Sequence, residues 1–186
     1  WFENHARFCS GQLAQLVLAY RFHTDALVIA VPGDDDMAPG ARMAPSTAAV
    51  TLAEALRLGA SEVMELESDE IASFVRKRVE GAPGEEIVFY ETTPGGSGYT
   101  EELAHRLPEV AAAARKVLYE HQCSRACYLC LKHYRNQWIH AQLDKDSVRT
   151  ALLALEGLEA ESGMPVERRA LQQAMRTMLE TRAQEF

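Results

Sequence analysis

The segment His121-Gln122-Cys123-Ser124-Arg125-Ala126-Cys127-Tyr128-Leu129-Cys130 gathers three of the chain's four cysteines, with a histidine two positions before the first. Thiolates and imidazole so crowded can converge on one tetrahedral zinc ion if the backbone folds back on itself. Residues two apart cannot share a helix face, so His121 and Cys123 require extended or turned backbone after a helix that ends near Glu120. Cys127 and Cys130, three apart, suit a tight knuckle or the first turn of a helix beginning near Leu131. One nitrogen and three sulfurs make a closed structural site, which holds structure and performs no turnover. Such sites supply roughly 10 kcal/mol or more of folding free energy. His133 and His140 compete with His121 as fourth ligand.

Two other readings fit the same residues. Three buried thiols without metal are one. The other is the Cys-x3-Cys-x2-Cys spacing of radical S-adenosylmethionine enzymes, which holds three irons of a [4Fe-4S] cluster. Leu129 stands where those enzymes carry an aromatic, and the motif follows a helix, with only helices after it. Cys9 reads as a small buried hydrophobe.

A second motif, Thr92-Thr93-Pro94-Gly95-Gly96-Ser97-Gly98-Tyr99, lies after a strand and before a helix, where backbone amides can face an anion. It lacks the Lys-Ser/Thr pair of a Walker loop, the dinucleotide fingerprint, and the last glycine of a nucleophile elbow around Ser97. Its structural alternative is positive φ and close packing beside another segment, such as the metal knuckle. His23 with Asp25, and Glu91 beside the loop, form the acid-base set of a competing hydrolase or nuclease reading.

Positioning these motifs requires a mixed first half and a helical second half. Asp25 to Val31 and Glu86 to Thr92 are apolar, β-branched runs and read as strands, and Ser61 to Glu67 is a loose third. Helices are expected over Glu3 to Arg21, from Ser46 and Thr47 to Leu58 with Gly59 at the C-terminal turn, over Asp69 to Glu80, and over Thr100 to Glu120 with Pro108 opening a second segment. Leu131 to Leu143, Ser147 to Leu158 and Val166 to Ala183 are further helices, and Asp34 to Pro45 is a loop. The fold class is α/β: a small sheet of about three strands covered by helices, then a zinc knuckle in a helical C-terminal half. The 186 residues, 47% hydrophobic and 25% charged, suit a single domain. Its expected parts are an α/β part over 1–120 with the glycine loop at 94–98, knuckle and following helices over 121–158, and a last helix over 159–186. The start at Trp1-Phe2, inside a helical pattern, suggests excision from a larger protein.

No apolar run is long enough to cross a bilayer and no signal peptide is visible, so a cytoplasmic chain without membrane contact is expected. The formal charge of −8 argues against bulk adhesion to nucleic acid. From Arg115 to Arg149, however, seven Lys or Arg stand against three Asp or Glu, a local net of +4 that leaves −12 elsewhere.

Phe89-Tyr90-Glu91-Thr92-Thr93-Pro94-Gly95-Gly96-Ser97-Gly98-Tyr99, then Cys127-Tyr128-Leu129-Cys130-Leu131 followed by Tyr134, Asn136-Gln137, His140 and Leu143-Asp144, resembles a zinc-binding domain of unknown function. That domain is found at the C-terminus of Mrf-type DNA-repair helicases and in the DrmB component of DISARM antiphage systems. Phe22 to Leu27 and Leu52 to Ala60 add to the likeness, which covers roughly residues 15 to 155. The resemblance implies zinc held by His121, Cys123, Cys127 and Cys130, with His121 departing from the family's usual cysteine and Lys145 standing where arginine is common. It also implies a non-enzymatic accessory module beside a superfamily 2 helicase motor, in the same chain or a partner subunit, serving repair or antiphage defence. Arg115, Lys116, Arg125, Lys132 and Arg135 would then be the residues that contact DNA phosphates.

Overall fold

The structure, a computed structural model, describes residues 20–32, 45–67, 69–78, 84–120 and 122–157. Cys9, His121, the helix of Val166 to Ala183, and nearly all of both the opening helix and the Asp34 to Pro45 loop lie outside the described residues. Three strands, β1 (Ala26–Pro32), β2 (Ile71–Lys77) and β3 (Gly84–Glu91), form an antiparallel sheet in the order β1-β3-β2. Leu27, Ile29, Ile71, Ile87 and Phe89 turn one face of it into the core. Helices α1 (Thr47–Met64), α2 (Tyr99–His105) and α3 (Leu107–Glu120) and the residues after the knuckle build the rest of that core, with Leu131, Leu143, Val148 and Leu152 all within it. The second half is less helical than expected. Tyr134–Ile139 and Lys145–Val148 are 3-10 turns, and α4 (Arg149–Leu155) is the helix that follows them.

Two expected elements are corrected. Asp69 to Glu80 is not a helix, because its centre is β2, paired residue by residue with β3 from Ile71↔Glu91 to Lys77↔Glu85. Ser61 to Glu67 is not a strand, because α1 continues through Gly59 to Met64 and ends where Glu65 takes a left-handed conformation (φ 54°).

Gly59 sits inside α1 for a packing reason. A Cβ there would lie 2.1 Å from the Val110 carbonyl oxygen and 3.1 Å from Ala114 Cβ on α3. Helix preference alone would favour alanine by about 1 kcal/mol. Separating two packed helices costs roughly 1–3 kcal/mol and outweighs it. Gly59→Ala is therefore expected to lower the urea midpoint and Gly59→Val to lower it further; an alanine variant as stable as the parent would remove the close crossing.

Ser46 caps α1, its hydroxyl accepting from the Ala49 amide at 3.1 Å. Its own amide donates to Glu85 at 3.0 Å, its hydroxyl donates to the same carboxylate, and Lys77 Nζ lies 3.0 Å away. Burial alone would raise the Glu85 carboxyl, but the Ser46 and Lys77 donors outweigh it and hold the group below its ordinary 4.5. The folded-state pKa is depressed, so the stabilisation is fully present above about 4.5 and lost as pH falls through the lower folded value. Urea midpoints between neutrality and about pH 3 should fall less steeply in Glu85→Gln than in the parent; parallel curves would mean that the contact contributes nothing.

Candidate metal centre

The chain leaves α3 at Glu120 and turns back so that the thiols of Cys123, Cys127 and Cys130 lie within 4.8 Å of one another. Cys127–Cys130 and Cys123–Cys130 sulfur separations are 3.8 and 4.0 Å. Zinc–sulfur bonds of about 2.3 Å at the tetrahedral angle place sulfurs about 3.8 Å apart, so the donor set fits one tetrahedral ion. The turn is a tight knuckle: the Cys127 carbonyl accepts from the amides of Cys130 (3.2 Å) and Lys132 (2.9 Å), and the Cys127 amide points at Cys130 Sγ (3.2 Å). Burial, with the neighbouring sulfurs of Cys127 and Cys123, pushes the Cys130 thiol up to about 11, although the Cys127 and Leu131 amides pull against it. Without a cation the Cys130 sulfur holds its proton, and a divalent ion is what makes a thiolate stable there.

His133 and His140, the competing fourth ligands, are engaged elsewhere and fall outside the metal-competent group of described residues. His133 Nε2 is 3.0 Å from Glu54 Oε2. His140 Nε2 faces Asn136 Oδ1 (2.8 Å) and the His133 carbonyl (3.1 Å), two acceptors, so that nitrogen carries the proton. Asn136, 2% exposed, donates to Glu54 (2.8 Å) and the Leu131 carbonyl (2.8 Å) and accepts from the His133 amide (2.9 Å). Glu54, buried on α1, also meets Arg57 at 3.2 Å. This network ties the knuckle's exit to α1, and the sequence reading missed its key residue. Glu54 is 79 and 82 residues from His133 and Asn136, and its position on the buried stripe of α1 is the signal that could have flagged it. A second tie holds the knuckle's entry. The Lys145 amide donates to the Arg125 carbonyl (2.9 Å), and the Asp144 amide donates to Thr51 Oγ1 (3.1 Å) on α1. Tyr119 Oη donates to the Lys145 carbonyl at 2.6 Å, and burial, with Asp146 nearby, pushes that phenol up to about 12, so it stays a donor.

The glycine loop is not an anion cradle. The Glu91 carboxylate, fully buried, already accepts from the Ser97 amide and from the amide (2.9 Å) and hydroxyl (3.1 Å) of Thr100 at the start of α2. The chain's own carboxylate thus fills the place a phosphate would take. The same engagement removes Glu91 as a general base, which needs access to a substrate proton. His23 is exposed, with its carbonyl accepting from the Gly95 amide at 2.7 Å, and Asp25 packs where a Cβ on Gly96 would sit, 2.2 Å from its Oδ2. Gly96, at φ 76°, is therefore glycine both for its conformation and for this contact. The loop closes on residues 23–25, as the structural alternative required, with a partner other than the knuckle.

The iron-sulfur reading loses its footing as well. Three thiolates on three separate irons would stand further apart than 3.8–4.0 Å, and the three-stranded antiparallel sheet is not a (β/α) barrel.

The five residues expected to contact phosphates are spread over the second half, and four hold carboxylates of this chain. Arg115 grips Glu156 with two nitrogens (Nη2 at 3.1 Å), Lys116 meets Glu120 at 3.9 Å, Arg125 meets Asp144 at 3.1 Å and Arg135 meets Asp69 at 3.2 Å. Lys132 makes no ion pair among the described residues. No described helix is long and apolar enough to cross a membrane.

Residues 52–131, which contain both the glycine loop and the three thiols, match the MrfA Zn-binding domain family. The Druantia protein DruE of Escherichia coli (strain UMEA 4076-1) is 32% identical over 150 residues, covering 75% of this chain; the chain spans 8% of that relative's length. The crystal structure of the DUF1998 helicase MrfA bound to DNA is similar with a TM-score of 0.42 at 17% identity, over 61% of this chain and 14% of the other. The resemblance drawn from the two motifs is borne out by the family match, and that match together with the converging thiols supports zinc as the cofactor.

Proposed function

We propose that this chain, whose residues 52–131 match a helicase-associated zinc-binding domain, is a non-catalytic, zinc-stabilised accessory module of a DNA helicase or translocase complex. The observation that carries the reading is the meeting of three thiols at tetrahedral spacing within the matched segment, bound into α1 by a buried polar network. Cys123, Cys127 and Cys130 hold the ion and His121 completes the tetrahedron, since neither ring nitrogen of His133 or His140 falls within the group of described donors that lie within 4.8 Å of one another. When bound, zinc supplies a cross-link between the end of α3 and the turns that follow, and a filled coordination sphere leaves it no substrate position.

The motor is of the superfamily 2 type, in the same chain or a partner subunit, and the complex serves antiphage defence or DNA repair in the cytoplasm. Support for the defence setting is the likeness to a Druantia protein. DNA contact is limited to phosphate positioning by Lys132 and by whichever of Arg115, Lys116, Arg125 and Arg135 exchange a carboxylate for a phosphate. Such binding weakens steeply with salt.

The reading is tested with purified zinc-loaded chain and the motor of its complex. The expected result is about one zinc per chain, no cleavage of single- or double-stranded DNA, and motor-driven unwinding that rises when the chain is added. Cleavage that survives purification and disappears in His23→Ala, an exposed position, would replace the accessory reading with the hydrolase one.

A further inference from the structure

β2 is an edge strand, and the direction of its outward backbone groups can be read from its neighbours. The Glu70 carbonyl accepts from the Thr92 amide and the Arg78 amide donates to the Gly84 carbonyl, so even-numbered residues of this strand bond toward β3. The Ile71 carbonyl points the other way and accepts from Arg57 Nε at 3.1 Å. Alternation then turns the N–H and C=O of Ser73 and Val75 away from the sheet, where they meet no partner among the described residues.

A groove of about 860 Å³ runs along this strand. Ile71, Ser73 and Val75 from one face of β2 line it together with Ala72 and Phe74 from the other, so the depression is centred on the edge and not on a face. Its far wall is the 3-10 turn carrying Trp138, which is 75% exposed, and Phe74 beside the edge is 47% exposed. Both cations of the groove meet carboxylates, Arg57 on Glu54 and Arg135 on Asp69, while Glu70 accepts from the Glu67 amide at 2.7 Å and leaves the lining slightly acidic. A groove with its cations already paired, spare ladder donors and acceptors and an aromatic wall complements an extended backbone without acidic side chains and repels a polyanion.

We propose that the β2 edge is a β-augmentation site for an extended peptide of alternating apolar residues, donated by the motor; the donor's identity rests on the accessory-module reading. Amide exchange is followed by residue on the zinc-loaded chain with and without a capped hexapeptide of alternating threonine and valine. Saturating peptide is expected to slow the Ser73 and Val75 amides roughly tenfold or more, leaving Ala72 and Phe74, already bonded to β3, unchanged. Ser73→Pro removes only an outward N–H and spares the ladder, and Trp138→Ala removes the wall from an exposed position; each should keep the fold and lose the protection. Absence of protection at millimolar peptide overturns the proposal. So does protection brought by a short thymidine oligonucleotide instead, or protection that grows with chain concentration alone, which would assign the edge to a second copy. In association assays with the motor, binding lost in Cys127→Ser yet kept in Ser73→Pro overturns the edge and leaves the accessory module standing. Peptide protection without any motor binding by the parent chain overturns the motor as donor.

Discussion

Stripping the ion with a strong chelator is expected to unfold the second half of the chain and to take most of the first half's stability with it. The knuckle has little apolar content of its own to hold it, with Tyr128 and Leu129 exposed. Yet Leu131, Leu143, Val148 and Leu152, which follow it, are core residues in the same cluster as Leu56, Val110 and Leu118 of α1 and α3. Loss of the knuckle therefore opens the core itself. Structural zinc contributes about 10 kcal/mol or more, against a usual net stability of about 5–15 kcal/mol for a whole domain. Near-ultraviolet dichroism and urea titration should show a chelated chain without a cooperative transition, restored by zinc and not by magnesium, which prefers oxygen ligands. Cys130→Ser should reproduce the effect. His121→Ala should weaken zinc binding while His140→Ala leaves it nearly unchanged, and a reversed order would move the fourth ligand to His140. A chelated chain that melts where the parent does would dismiss the structural ion altogether.

The thiol cluster was legible because its chemistry is local. Cys127 and Cys130 are three residues apart, and their knuckle is closed by amides of the same short stretch. What the sequence could not reveal is how the cluster is held, since Glu54, Thr51 and Asp144 reach it only through tertiary contacts. The glycine loop shows the same limit. Its positive φ angles and close approach follow from glycine, but the carboxylate that fills it comes from Glu91, which read as a strand end and a free acid.

Among the strands, β1 and β3 stood out as β-branched apolar runs. β2 did not, because its outward positions Ala72 and Phe74 are as apolar as its inward Ile71 and Val75, so no two-residue alternation of polarity marks it. Charged residues at both ends, Asp69-Glu70 and Arg76-Lys77-Arg78, gave it instead the look of a capped helix. Gly59 misled for a related reason: glycine signals a helix end when judged alone, and here it marks a helix crossing.

Glu54→Ala is expected to produce the second largest loss, about 3–5 kcal/mol, the range seen when one partner of a buried ionic contact is removed. Its carboxylate is the common acceptor for Asn136 Nδ2, Arg57 Nη1 and the imidazole of His133. Truncation strands a buried amide donor and leaves Arg57 without its ion pair. Because Asn136 also holds the Leu131 carbonyl at 2.8 Å, the knuckle's exit loses its support, and zinc affinity should fall along with stability through their linkage. Glu54→Gln keeps the shape and one acceptor oxygen, so it should recover part of the loss. In a double-mutant cycle with Asn136→Ala the two losses should fall short of additivity by about 0.5–3 kcal/mol, as expected for groups that share one hydrogen bond. Strict additivity, or an alanine variant within about 0.5 kcal/mol of the parent, would mean that the Glu54 network does not join α1 to the knuckle's exit.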